Sequence, residues 1–298
     1  MSSPRPFLLC DVFAARLGAG NGLAVVLDGT DLSTEQMQAF AAYINQSETT
    51  FVLPPTHAGA SYRIRIFTPA SELPFAGHPS VGSAHAVLEA GLAHAHNGEL
   101  VQECAAGLLP LRVSGEGATR VISVRAPRGH LLPSSETAIA LLPAALQGMR
   151  LGRLPPTLVN NGPLWWCVQL ADAEAVRRLQ PDLPAIAALN RATQSVGLAV
   201  FAGSDAPDHQ LVVRAFCPAD NIPEDPVTGS ANAAIAALLH ECGALAAVGN
   251  PYTASQGREL GRDGFVQVRV DDEGEVWIGG NTQTVVRGSL EWNSRDEF

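Results

Sequence analysis

Charge is scarce in this chain, at 16% of 298 residues, and no run of Lys or Arg gathers into a basic patch. The formal net charge is −10. Nucleic-acid binding rests on a basic surface, so nucleic acid is not an expected partner. A negatively charged small molecule would have to be attracted locally, by helix N-termini or a few Arg, against the mean field. Cysteine is sparse as well. The five, Cys10, Cys104, Cys167, Cys217 and Cys242, are odd in number and contain no C-x-x-C pair, which argues against a disulfide scaffold or a cysteine zinc site. Long apolar runs are missing too. The opening "MSSPRPFLLCDVFAARL" is broken by Asp11, and "SANAAIAALLHECGALAAVG" by His240 and Glu241, so neither a secretory signal nor a membrane span is expected. Short-period repeats are absent, which excludes a solenoid. What the chain has is core material, with 46% hydrophobic residues, at a length that suits about two domains. The expectation is a soluble, cytoplasmic protein of a reducing compartment.

One long-period repeat is present. "RIFTPASELP", Arg65 to Pro74, aligns without a gap on "RAFCPADNIP", Arg214 to Pro223, with five identities in ten positions and an offset of 149 residues. "HPSVGSAHA", from His78, then meets "DPVTGSANA", from Asp225, at an offset of 147. Earlier elements repeat more loosely. "GNGLAVVL" and "NNGPLWWCVQL" each place Asn-Gly before a strand-like run. Met37, Phe40, Ala41 and Ile44 then mark an amphipathic helix behind a capping box of Ser33 and Gln36. In the second half "DAEAVRRLQPDLPAIAAL" is helical but broken by prolines, and "TTFVLPP" and "SVGLAVFA" follow as strands. The order predicts two like α/β domains from a duplication, 1–125 and 126–282, with a terminal strand at about 283–298 returning to the first. Duplicated domains commonly pack about a pseudo-twofold axis, and small-molecule sites favour the cleft that results.

The repeat pairs His78 with Asp225, each before a proline and four residues before Gly-Ser-Ala. Two ionisable groups of different type suit two-sided acid/base chemistry. Gly82 with Ser83, and Gly229 with Ser230, are placed in or near the first turn of their helices. Exposed N–H groups and the dipole would there receive a carboxylate or phosphate. Taken singly, each element reads as an ordinary helix cap; the paired copies favour a site. Arg65 and Arg214 have two open roles, reaching the cleft or bridging the domains. Trp165 and Trp166, adjacent in a strand, face opposite ways, and two places are open to them, the cleft wall or the core.

The segments "DVFAARLGAGNGLAVVL", "NQSETTFVLPP", "ELPFAGHPSVGSAHA" and "EDPVTGSANA", in that order, resemble the phenazine-biosynthesis PhzF-like isomerase family, from about Asp11 to the end. "QGRELGRDGFVQVRV" and "EVWIGGNTQTVVRGSL" resemble its closing strands. One departure is Asn21-Gly22, where the family usually reads Asn-Pro; it bears on the rigidity of that turn rather than on the chemistry. The resemblance implies the diaminopimelate epimerase fold: an α/β (α+β type) protein of two pseudo-twofold-related domains, each a barrel-like, mostly antiparallel sheet wrapped around a central helix, with the active-site cleft between them. It also implies a homodimer.

On the residues alone, Glu48 in "NQSETTFV" reads as a solvated loop acid or a cap partner of Asn45. The resemblance makes it the principal proton-transfer residue, with Asp225 and His78 orienting substrate, and with Ser230 and the N–H groups around Gly229 and Gly77 holding a substrate carboxylate. Glu224 reads as solvated at the helix entrance. The thiol pair of the fold's racemases is disfavoured, because His78 and Asp225 stand before Pro79 and Pro226, and Cys104, Cys167 and Cys242 read as small core residues. "GAGNGLAVV" lacks G-x-G-x-x-G spacing, "HAH" at His94 and His96 lacks a third ligand, and "GSANA" is not G-x-S-x-G. The expectation is therefore an isomerase without metal or nucleotide cofactor, shifting a proton within a small carboxylated substrate. Its rivals are an amino-acid racemase or epimerase using carboxylates, and a metabolite-binding protein without turnover.

Overall fold

The strands Asn21–Val26, Glu48–Leu53, Leu164–Gln169 and Leu211–Cys217 are buried along most or all of their length instead of alternating, as strands covered on both faces are. The computed structural model describes residues 4–292. The first series of elements is β1 (Arg5–Val12), β2 (Asn21–Val26), α1 (Thr34–Ile44), β3 (Glu48–Leu53), β4 (Tyr62–Phe67), β5 (Glu72–Leu73), α2 (Gly77–Glu89), β6 (Glu99–Cys104), β7 (Gly107–Ser114) and β8 (Val121–Arg125). Strands that follow one another without an intervening α-helix pair antiparallel: β1 with β2, β3 with β4, β4 with β5, β6 with β7 and β7 with β8. Where a helix intervenes the pair is parallel, as a crossover demands: β2 with β3 around α1, and β4 with β6 around α2.

The second series is β9 (His130–Leu132), α3 (Glu136–Ala145), β10 (Thr157–Asn160), β11 (Leu164–Gln169), α4 (Ala173–Arg177), α5 (Leu183–Thr193), β12 (Gly197–Gly203), β13 (Leu211–Cys217), β14 (Ile222–Asp225), α6 (Gly229–Glu241), α7 (Leu245–Val248), β15 (Tyr252–Gln256), β16 (Gly264–Val270) and β17 (Val276–Gly280). Its pairings reproduce the first set. Strands β10 and β11, β12 and β13, β13 and β14, and β15 and β16 are antiparallel, while β11 with β12 and β13 with β15 are parallel. The chain closes on β18 (Thr282–Leu290), antiparallel to β1. Two compact units result, one running to Arg125 and resuming at Gly279, the other from Ala126 to Ile278. Of the strand expected at about 283–298, residues 293–298 lie outside the described residues.

Each unit wraps its mostly antiparallel sheet around one helix, the architecture the resemblance implies. From Gly77 to Val87 every residue of α2 is buried, against β1, β2, β3, β4, β6, β8 and β18. In the second unit α6 is buried over nearly the same length, against β10, β11, β12 and β16. An Ala-rich helix with little charge suits this enclosure. By contrast α1 is amphipathic and lies on the sheet. Met37, Phe40 and Ala41 face Val26, Phe51 and Phe67, and Trp292 closes over Phe40 with ring centroids 5.2 Å apart. Both halves of the Ser33–Gln36 capping box form. The prolines of the second copy split the matching segment into α4 and α5. The sequence did not predict α3, which is capped by Ser135. It covers a core that includes Leu158, Trp166, Leu170 and Ile186. Among the described residues no helix is long and apolar enough to cross a membrane.

Candidate active site

In the first unit, α1 ends on Asn45 in the left-handed conformation (φ 53°), which turns the chain sharply into Gln46, Ser47 and Glu48. Glu48 opens β3, in register with Leu23 of β2. Its side chain is 17% exposed, and its Oε2 lies 3.3 Å from Nε2 of His78, the second residue of α2. Burial pushes the Glu48 carboxyl up to about 7, with a hydrogen bond from Ser47 pulling the other way. A carboxyl poised near neutrality beside an imidazole can take a proton from carbon and give it back. Asp11, which the sequence did not single out, shapes the approach to β2 by accepting the amides of Ala19 and Gly20, each at 3.0 Å. A Cβ on Gly20 would stand 2.0 Å from the Val12 carbonyl oxygen, so the glycine-rich "GAGNG" serves a close backbone turn.

In the second unit, Asp225 ends β14 and is half-buried. The Thr228 hydroxyl donates to Asp225 Oδ2 and accepts from Gln256 Nε2 at 2.9 Å. Gln256 Oε1 accepts the Thr228 amide and Asn232 Nδ2, both at 3.0 Å. This chain of donors fixes Asp225 as an acceptor at the entrance to α6. Ser230 follows in the first turn, where its Oγ accepts the Trp165 indole N–H at 3.1 Å and its carbonyl accepts Asn161 Nδ2 at 2.8 Å. With one of its two lone pairs taken up by the indole, the Ser230 hydroxyl keeps its hydrogen to donate.

The two helix starts differ from the sequence expectation. Gly77 is the first residue of α2 and His78 lies inside the helix, whereas α6 begins only at Gly229, past Asp225 and Pro226. Gly229 and Ser230 therefore occupy a first turn, and Gly82 and Ser83 do not. Their expected place at a helix start is corrected: they are the sixth and seventh residues of α2, buried against the sheet. Ser83 donates to Thr50 Oγ1 at 2.8 Å. At Gly82 a Cβ would come within 2.6 Å of Leu23 and 2.7 Å of Val12 side chains. Overpacking of this kind costs about 1–3 kcal/mol, and the better helix propensity of Ala returns about 1 kcal/mol. Gly82→Ala should thus lose up to about 2 kcal/mol in urea unfolding; a gain would mean that Leu23 and Val12 step aside freely.

Two buried glutamines were missed. Gln256 holds the start of α6, and Gln102 of β6 does the equivalent in the first unit, donating to Ser80 Oγ at 3.0 Å and accepting from the Tyr62 hydroxyl at 3.1 Å. Both lie in the strand that runs parallel to β4 or β13, a placement that the repeat would have shown had it been extended past the helices.

The paired arginines have structural partners. Arg65 grips Glu72 with two bonds of 2.7 Å and lies over the Phe67 ring at 5.1 Å. Arg214 grips Glu224 at 2.9 and 2.8 Å and lies over Phe216 at 5.0 Å. Glu224 is therefore not solvated at the helix entrance; its side chain is 9% exposed and ion-paired. Trp165 and Trp166 are both core residues facing opposite ways, Trp165 toward Ser230 of α6 and Trp166 toward Thr193 of α5 at 3.1 Å. Of the thiols, Cys10 and Cys167 are buried and burial raises both pKa values, Cys10 to about 12, so neither is a ready base. Cys242, expected in the core, is exposed at the end of α6.

The sequence and the fold both have close likenesses. The chain is 36% identical over 293 residues to antisense-enhancing sequence 1 of Schizosaccharomyces pombe, covering 95% of this chain and 97% of that one. It is 32% identical over 288 residues to the trans-2,3-dihydro-3-hydroxyanthranilate isomerase of Pseudomonas chlororaphis, covering 95% and 98%. A solved phenazine biosynthesis protein of the PhzF family from Bacillus anthracis shares the fold, with a TM-score of 0.80 at 23% identity over 97% of this chain and 100% of that one. Such a combination defines an isomerase. The chain belongs to the phenazine biosynthesis-like protein family, whose model matches residues 10–288.

Proposed function

We propose that this isomerase moves a proton between two carbons of a small carboxylated substrate, with Glu48 as the carrier. The observation that supports this reading most is the Glu48 carboxyl itself, raised to about 7 by burial and 3.3 Å from His78. In such a step Glu48 takes a proton from one carbon, the electrons of that C–H bond shift into the conjugated system, and the proton returns at another carbon. Nothing is oxidised or reduced, and acid/base groups suffice for a proton shift, so the proposal calls for neither metal nor nucleotide. His78 steadies the charge beside Glu48. By the sequence repeat, Asp225 is assigned to the same reaction, where it orients a polar substituent, and the Ser230 hydroxyl with the Gly229 and Gly77 amides receives the substrate carboxylate. The Pseudomonas chlororaphis relative is named for a hydroxylated, amino-bearing ring acid, and a cyclic unsaturated amino acid is the substrate class put forward here.

Incubation in D₂O with unsaturated and amino carboxylic acids, including a cyclic dihydro-amino acid, tests the reading by NMR. The expected result is deuterium entering a carbon of one acid as its double bond migrates. Deuterium at an α-carbon with inversion would replace the reading with an epimerase. Ligand-induced stabilisation with no C–H exchange at all would make the protein a metabolite binder.

A further inference from the structure

Beside α1, the first unit has a cavity at a place that the second unit fills. In the second unit Val212 of β13 lies opposite Ala202 of β12, and both are buried in one core with Val176 of α4 and Leu179 just beyond it. The repeat, at its offset of 149 residues, puts Arg63 of β4 at the position of Val212. Arg63 lies opposite Leu53 of β3. Here a loop, 29–32, follows β2 where the second copy has α4 after β11, and a cavity of about 690 Å³ is left open. That volume suits a small molecule. Leu32, Met37, Leu53, Pro54 and Pro55 give it an apolar wall. Arg63 also lines it, with its Nε buried and without a hydrogen-bond partner among the described residues. A buried donor left unmade costs stability, whereas a valine meets no such cost in the other copy. Three acids line the cavity too, but each is engaged or in water. Glu72 is held by Arg65 through two bonds of 2.7 Å. Glu103 accepts the Thr56 hydroxyl, and the Thr56 and His57 amides at 2.7 and 3.1 Å. Asp31 is exposed. The charged group with a buried donor still to give is Arg63.

We propose that this cavity is a second ligand site, for a small organic anion whose carboxylate meets Arg63 and whose apolar body lies against Met37, Leu53 and the two prolines. A guanidinium offers a carboxylate two parallel N–H bonds, and the Nε can supply one of them. The site stands at the opposite end of β3 from Glu48, roughly 17 Å along an extended strand. It is therefore separate from the proposed proton carrier, and its test does not depend on that reading. The chain has three methionines, Met1, Met37 and Met149, so ¹³C-methyl labelling gives three signals, with Met37→Leu identifying the one in the cavity. Benzoate should shift the Met37 methyl saturably and leave Met149, in the second unit, in place. Benzamide, of the same shape without the charge, should bind about 10-fold more weakly or worse, as should benzoate to Arg63→Leu; one charge-assisted hydrogen bond is of that scale. Arg63→Leu should also unfold at no lower urea than the wild type, since it removes the unpartnered donor. Ser230→Ala should leave the Met37 shift intact; its loss would put the anion in the proposed substrate site and overturn the proposal. No shift of Met37 up to about 50 mM benzoate, or equal binding of benzoate and benzamide, would overturn it as well. So would a dimer in sedimentation that Arg63→Glu dissociates, because a second copy would then cover the cavity. If Arg63→Leu fails to fold, the comparison of benzoate with benzamide decides alone.

Discussion

Glu48→Gln should lose at least about 10²-fold of turnover, the scale of a proton-transfer residue, and yet melt higher than the wild type above pH 7. The two effects share one cause. Gln keeps the shape and the burial of Glu48 but carries no proton to exchange. Its stability advantage follows from the direction of the shift. The Glu48 carboxyl is raised from its ordinary 4.5 to about 7 in the folded protein, so the folded state binds that proton more tightly than the unfolded state does. Between pH 4.5 and about 7 stability then falls as pH rises, and above about 7 the whole penalty of an ionised, half-buried carboxylate is present. At about 1.4 kcal/mol per pH unit the rise amounts to on the order of 3 kcal/mol. Below pH 4.5 both states hold the proton, and wild type and variant should melt alike. Thermal unfolding at pH 4 and pH 8, with turnover on whichever acid exchanges deuterium, checks both halves. Near wild-type turnover in a folded Glu48→Gln would remove Glu48 from the mechanism. A variant less stable at pH 8 would show that His78 compensates the buried charge.

Arg214→Ala is expected to destabilise the second unit by about 3–5 kcal/mol, the penalty for leaving one member of a buried ion pair alone. Arg214 and Glu224 side chains are 7% and 9% exposed. The guanidinium also donates to the Val176 and Leu179 carbonyls at 3.2 and 2.8 Å, so its removal strands the C-terminal end of α4 as well. The repeat supplies an internal control. Arg65 and Glu72 are joined just as closely, but their side chains are 27% and 33% exposed. Water replaces much of what Arg65 provides, and Arg65→Ala should cost about 1 kcal/mol or less. Urea unfolding of the two variants, with Arg214→Met/Glu224→Leu as a third, separates the parts: the double variant should recover the loss due to the stranded Glu224 charge and keep the loss due to the Val176 and Leu179 carbonyls. Equal costs for Arg65→Ala and Arg214→Ala would show that burial does not govern the pair.

Much of the fold was legible in the residues because a duplication is a statement about order, and order survives divergence. The Arg-x-Phe pair of each copy, the Gly-Ser-Ala helix and the strand that precedes it recur at nearly one offset, and the structure repeats their pairings strand for strand. The amphipathic α1 and its capping box were legible for a local reason: three or four residues contain the whole signal. Glu48 was different. Its neighbours in sequence are polar, and nothing local separates it from a solvated loop acid; the resemblance pointed to it, and the raised carboxyl comes from β2 and α2 packing around it.

The sequence by itself determined two α/β units around Ala-rich helices and a pair of ionisable groups set before prolines, because periodicity and repetition are local or collinear properties. Only the tertiary structure decided which small residues open a helix. Proline is accepted both within a first turn, as at Pro79, and ahead of a cap, as at Pro226, so identical Gly-Ser letters end up buried at Gly82–Ser83 and at a helix mouth at Gly229–Ser230. It also decided the partners of Arg214, the helix-holding roles of Gln102 and Gln256, and the proton affinity of Glu48. Each of these depends on groups far apart in the chain that meet only when the sheet closes around its helix, and desolvation belongs to that enclosure rather than to any stretch of sequence.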